Sequence, residues 1–327
     1  MRTLVLAVVI CLAAYRPARS IWASELDEFR RDYPSRAERL KLFYGSLTLQ
    51  GQESYWQRAG EAPDITELSY WGDNGRYCVE CRYGPTAHVS KRRFEGGRSI
   101  FCAAPKCSFS IGSEPDGTLV VTDLRRDGAG YKAACTAVLS HARFASAPYS
   151  ILDAEVADFV TDPAMRLTGI THEVSDGQKV ATVTWRVAIN DADRGGWFKF
   201  LPDSGWVLTG YEIAHRRHGS KFAKPSKQRG EVSYRMDRGF EYPIVDKVRQ
   251  WGEQPENNGV ESSLLESSVA RATAGVANKG VFELSHYNLE PVARKRRSAY
   301  FWLITVLVTS MAGAIIFRLL ASRLQKQ

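Results

Sequence analysis

The residues best suited to chemistry in this chain are its cysteines. Cys78-x2-Cys81 followed by Cys102-x4-Cys107 has the outline of a four-thiolate zinc site, because closely spaced thiolates can close a tetrahedron around the ion. Two features count against zinc. Cys78 and Cys81 fall in an apparent strand, where an offset of three sends side chains to opposite faces. No glycine-containing knuckle turn joins them. In an oxidising compartment disulfides compete for the same thiols, and the favoured bridge is Cys102–Cys107 across a four-residue loop. Free buried thiols are the third reading. Cys135 makes the count beyond residue 20 odd, so at least one thiol stays unpaired within the chain. No metal or other cofactor is expected.

Two further groups could bind without doing covalent chemistry. His215 to Arg229 (HRRHGSKFAKPSKQR) holds six Lys/Arg, two His and no acid. Within it His215, Arg216, Arg217, His218, Lys221 and Lys224 are candidates to meet a phosphate or an acidic protein partner, since guanidinium groups bond such anions bidentately. A solvated hairpin loop explains the same charges. Phe222 is its one aromatic, too little for base stacking on a nucleic acid. The second group is Trp185, Trp197, Phe198, Phe200, Trp206 and Tyr211. These could line a cavity for a lipophilic ligand, or they could form a closed core. Enzyme signatures are missing: no G-x-S-x-G elbow, Walker loop or H-E-x-x-H occurs. The chain is therefore read as a binding protein and not as an enzyme.

The elements that must position these residues are mostly strands. In Val180–Ile213, Val183, Trp185 and Val187 share one face and Thr182, Thr184 and Arg186 the other, the period of a half-buried strand. Ser46–Arg58, Ile65–Trp71, Tyr77–Tyr83, Ile100–Cys102, Ser108–Ile111 and Leu119–Leu124 also read as strands, and Asn74-Gly75 supplies a hairpin turn. Helical spacing predicts Ser24–Phe43, with a break at Pro34, then Tyr131–Ala142 and Ile151–Val160. Strands resume at Arg166. A short helix is expected at Ser262–Arg271 and a last strand at Val281–Tyr287. Strands on both sides of a helical insert give an α+β fold: a large curled antiparallel sheet, an open half-barrel, packed on helices.

The ends carry the chain's positive charge. Net charge is +8, but residues 1–20 hold three basic residues and residues 294–327 hold seven, with no acids in either. The 34 Lys and Arg left between them face 36 Asp and Glu, so the high pI is no footprint of nucleic-acid binding. Residues 1–20 read as a secretory signal peptide, basic then apolar, ending in Ala18-Arg19-Ser20. Ala299–Phe317 has 19 uncharged residues, enough for one transmembrane helix across about 30 Å of hydrocarbon. Basic residues flank it on both sides, so the export signal decides orientation. The expected organisation is signal peptide 1–20, extracytoplasmic domain 21–293, basic juxtamembrane segment 294–298, transmembrane helix 299–317 and cytoplasmic tail 318–327.

This layout, with the block GWFKFLPDSGWVLTGYEI (196–213), resembles the LolA-like periplasmic proteins: outer-membrane lipoprotein carriers and sensor domains that regulate sigma factors. The likeness covers roughly Arg36 to Tyr287 and rests on architecture. It implies an open half-barrel over helices with a hydrophobic concave cavity, and a lipid or lipoprotein as ligand. A diffusing carrier would lack the C-terminal span, so the resemblance implies a relative fixed to the inner membrane, its main domain in the periplasm. The tail also resembles those of exported proteins of planctomycete-type bacteria. The reading reached is an anchored binding or sensor module that holds a lipophilic ligand or a peptide. The alternative is a ligand-free scaffold using the 215–229 loop.

Overall fold

The structure is a computed structural model and describes residues 25–57, 61–84, 96–126, 128, 130–189, 192–217, 219, 225–253 and 261–289. The expected signal peptide, the expected transmembrane helix and residues 218 and 220–224 of the basic loop lie outside the described residues. No helix among the described residues is long and apolar enough to cross a membrane. The chain divides into two units, Met1–Tyr287 and Asn288–Gln327; the fold is that of the first.

A helix over residues 25–44 (α1) opens it. Phe29, Tyr33, Ala37, Leu40 and Tyr44 recur every three or four positions and are all buried. The helix runs through Pro34 without the predicted break. Pro removes one backbone donor, and the buried stripe on either side outweighs that loss. Arg30 also ties the helix to the middle of the chain, donating to the carbonyls of Val160 (3.1 Å) and Met165 (2.8 Å).

Six strands then meander outward: β1 (Leu47–Trp56), β2 (Asp64–Asp73), β3 (Arg76–Tyr83), β4 (Arg98–Ala103), β5 (Ser108–Ser113) and β6 (Leu119–Arg125). Asn74 and Gly75 turn β2 into β3 with φ of 48° and 80°, as their types predict. The chain next crosses back through α2 (Tyr131–His141), α3 (Arg143–Ser146), the small hairpin β7–β8 (Ser150–Ile151 and Ala154–Glu155) and α4 (Val156–Thr161). It re-enters the sheet as β9 (Arg166–Ser175) and returns inward through β10 (Gln178–Ile189), β11 (Ala192–Leu201), β12 (Val207–Arg217), β13 (Ser226–Arg235), β14 (Ile244–Glu253) and β15 (Glu261–Ala274). The order β6-β5-β4-β3-β2-β1-β15-β14-β13-β12-β11-β10-β9 makes one open, curled, antiparallel sheet of 13 strands, with few helices.

Three predicted elements are corrected. Ser262–Arg271 is not a helix; it lies within β15 and fills the slot between β1 and β14. Leu265, Ser267 and Val269 alternate inward there, and serine is a poor helix former. Ile151–Val160 is not one helix. Leu152 and Asp153 take positive φ (48° and 69°) and turn the β7–β8 hairpin before α4 begins. Val281–Tyr287 is not a strand but lies in two 3-10 turns, Lys279–Phe282 and Leu284–Tyr287. Asn278 starts the first by accepting from the Gly280 amide at 2.9 Å.

The main core lies between the sheet's inner face and the helices, and includes Leu47, Leu49, Tyr70, Val79, Phe144, Val183, Phe198 and Phe200. A smaller buried group sits on the outer face of β3–β5. Cys78, Ile100, Cys102, Phe109 and Ile111 are covered there by Val281, Phe282, Leu284 and Tyr287. The outer face is therefore not solvent-exposed throughout: residues 279–287 form a strap over those strands.

Candidate functional site

A cleft of about 820 Å³ lies between the sheet's inner face and the helical insert. Strand register builds its floor. Tyr211 pairs with Gly230, Gly230 with Gln250, Gln250 with Leu265, Leu265 with Tyr55 and Tyr55 with Asp64. Directly opposed residues share a face, so this is one row of side chains crossing six strands. Glu53, Thr66 and Tyr83 form part of the next row. The insert supplies the facing wall through His141, Arg143, Ser146, Ser150, Leu152 and Asp153. The lining is therefore mainly polar, with aromatic and aliphatic groups set between.

Tyr211 is the notable floor residue. Its side chain is buried, at 2% exposure, and its hydroxyl has no hydrogen-bond partner among the described residues. Burial pushes its phenol above the ordinary range, with Arg143 opposing that effect. The ring lies flat along β13 because position 230 is glycine: a Cβ there would come within 2.3 Å of it. Elsewhere on the floor, buried Ser267 donates to Glu53 at 3.3 Å.

The other aromatic candidates lie elsewhere. Trp185 and Phe198 stack at 5.6 Å, and Phe198 meets Phe159 of α4 at 6.3 Å. Phe200 packs against Tyr33 (5.1 Å) and Phe29 (5.6 Å) of α1. Trp206 closes the same cluster, 5.2 Å from Phe29, with the Arg36 guanidinium 5.6 Å from its ring. Trp206 sits at φ 66°, an unusual conformation for a bulky residue, held by this packing. Trp197 is on the outer face, with Lys199 Nζ 5.6 Å from its ring. Of the six, only Tyr211 lines the large cleft; Trp206 borders a smaller hollow of about 200 Å³ beside α1. Sequence reasoning missed Gln228, Gln250, Tyr55 and Asp64, because their convergence depends on β1 pairing with β15 across most of the chain.

The cationic candidates are partly described. His215 accepts from Arg194 at 3.3 Å, Arg216 is exposed, and the backbone of Arg217 ends β12. His218, Lys221 and Lys224 lie outside the described residues. Two cations later in the same stretch are engaged on the outer face. Lys227 and Arg229 both donate to Glu212, and Arg229 donates to Glu253 at 2.7 Å.

Of the three readings of the thiols, the structure has them free, with Cys78, Cys81 and Cys102 buried. No group of metal-ligating residues exists among the described residues, so the Cys78, Cys81, Cys102 and Cys107 zinc alternative is not formed. Cys78 faces outward while Cys81 belongs to the main core, as their offset of three dictates. Cys102 and Cys107 are free and unbridged; across β4 and β5 the partner of Cys102 is Phe109. Burial pushes the Cys107 and Cys135 thiols up, the opposite of what a nucleophilic cysteine needs.

No family model matches this chain, and no curated protein does. Among solved structures it is similar to an outer membrane lipoprotein-sorting protein domain from Vibrio parahaemolyticus. The identity is 8%, over 81% of this chain and 100% of that one, with a TM-score of 0.44. It is also similar to a DUF1329 family protein from Desulfovibrio piger, at 13% identity over 77% and 96% of the two chains and a TM-score of 0.40. MucB in complex with MucA matches at 12% identity over 76% and 100%, with a TM-score of 0.14. The likeness to LolA-like proteins drawn from the sequence is met by the first of these. Strand order and register define the fold.

Proposed function

We propose that this chain is an exported, membrane-tethered binding module, and that its ligand is an extended peptide segment held in the cleft of the inner face. Residues 1–20 and 299–317 motivate the export and the tether. The observation that carries the binding site is Tyr211: a buried hydroxyl without a protein partner, on the floor of an open cleft. An unmet buried hydroxyl costs about 1–3 kcal/mol; a ligand group that turns the Tyr211 ring toward the cleft and bonds the hydroxyl recovers that energy. The floor spans six strands, about 24 Å at the usual strand spacing, room for roughly seven residues of extended chain. Gln57, Gln228 and Gln250 each offer both a donor and an acceptor, which suits a peptide backbone. The aromatic residues that would grip an acyl chain are engaged with one another and with α1 and α4.

The test uses the full chain in detergent, titrated against arrayed peptides, with native mass spectrometry of the same preparation. Binders are expected, and Tyr211→Phe should weaken them about tenfold while raising the melting temperature of the free protein, because the unmet hydroxyl is gone. A lipid adduct with no peptide binder would overturn this reading.

A further inference from the structure

The small buried group on the outer face holds the only two cysteines that strand pairing sets directly opposite one another among the described residues. Cys78 of β3 is the register partner of Cys102 of β4. Both are buried, at 0% and 1% exposure. Opposed residues of an antiparallel pair have Cα atoms about 4.5–5.5 Å apart, within the span a disulfide bridges. Their side chains project to the same face, so the thiols need no backbone movement to meet. Cys107 has no such relation to Cys102: it follows a tight turn in which its amide donates to Ala104 at 3.2 Å.

We propose that Cys78 and Cys102 become a cross-strand disulfide when the chain enters an oxidising compartment. The bridge staples β3 to β4 beneath the strap of residues 279–287. Tyr287 is the strap's contact with the pair. Its hydroxyl lies 3.6 Å from the Cys78 sulfur and donates to the Val281 carbonyl at 3.0 Å. Its ring packs edge-on to Phe109 at 6.1 Å, and the Arg98 guanidinium lies 5.7 Å from it.

The oxidant is a disulfide carried by a thiol oxidoreductase or a small thiol. The thiolate of Cys78 attacks one sulfur of that disulfide, forming a mixed disulfide and expelling the other sulfur as a thiolate. The thiolate of Cys102 then attacks the Cys78 sulfur and expels the second. Two electrons pass to the oxidant, and the two thiol protons go to solvent or to the expelled thiolates. In the folded, reduced chain this exchange is slow. The hydrogen bond with Cys78, followed by burial, pushes the Cys102 thiol far above its ordinary value, and the strap covers both sulfurs. The bridge therefore forms before the strap closes.

The test is the full chain, recovered from membranes after export. It is denatured without reductant in N-ethylmaleimide and digested after glutamate and after basic residues. Cleavage after Glu80 separates Cys78 from Cys81, and cleavage after Lys106 separates Cys102 from Cys107. The expected product is a peptide pair joined through Cys78 and Cys102, which reductant splits. The exported double variant Cys78→Ala/Cys102→Ala should melt at the same temperature with and without reductant. The natural chain should melt on the order of 10 °C lower when reduced. Maleimide on both Cys78 and Cys102, or a bridge from Cys102 to Cys107, would overturn the proposal. Because this digestion does not involve the cleft, its result and that of the peptide titration can fail separately.

Discussion

Glu80 is the one buried carboxylate among the described residues. Burial alone would raise its pKa, but hydrogen bonds from Arg98 and Arg82, both 2.7 Å, outweigh that and hold it below the usual carboxylate range. A carboxyl held low stabilises the fold above its unfolded value and loses that contribution as pH falls through its folded value. Stability should therefore decline as pH drops below about 4.5. Glu80→Gln should remove about 2 kcal/mol at neutral pH and flatten the acid limb, as read by urea unfolding at a series of pH values. Identical acid limbs would contradict this. Only half of that cluster was legible in the sequence. Arg82 stands two positions along the same strand face, whereas Arg98 reaches Glu80 through the pairing of β3 with β4. Tyr211 was legible as an aromatic on the inward face, but its lack of a partner depends on what every neighbouring strand presents.

At the scale of elements, α1 and α4 close over β10–β12, and the aromatic residues between them are core. Phe200→Ala should cost about 3–5 kcal/mol and leave the peptide affinity of the folded protein unchanged. Gly230→Ala should behave differently. Its new Cβ forces the Tyr211 ring off the strand, so affinity should fall with a stability loss of only about 1–3 kcal/mol. Thermal melts beside peptide titrations separate the two, and matched losses of affinity in both variants would sink the assignment. The strands around Val183 and Tyr211 were legible because polar and apolar residues alternate cleanly. The stretch Ser262–Arg271 was not. Its inward positions include Ser267, buried yet polar, which bonds Glu53 from a strand more than 200 positions earlier. Helical spacing likewise failed at Ile151–Val160, where turn geometry at Leu152 and Asp153 overrode it.

For the Met1–Tyr287 unit as a whole, the cleft follows from the path of the chain. The first meander ends at one sheet edge, β6, and the second begins at the other, β9. The connection must cross a face of the sheet, and α2, α3 and the β7–β8 hairpin do so on the inner side. Curvature keeps part of that insert off the floor where β1 meets β15. The alternation of strands with a helical insert made this architecture legible. The join of β1 to β15, which sets the floor, was not, since no local signal links residues so far apart. The central claim is that this cleft, and not the aromatic core, is where a partner sits. It is tested most directly by placing the photo-crosslinker p-benzoylphenylalanine at Gln250 on the floor, or at exposed Val174 on β9, in the full chain. Irradiation in cells should give a peptide adduct at position 250 and none at position 174. No adduct at position 250, or equal adducts at both, would contradict the account.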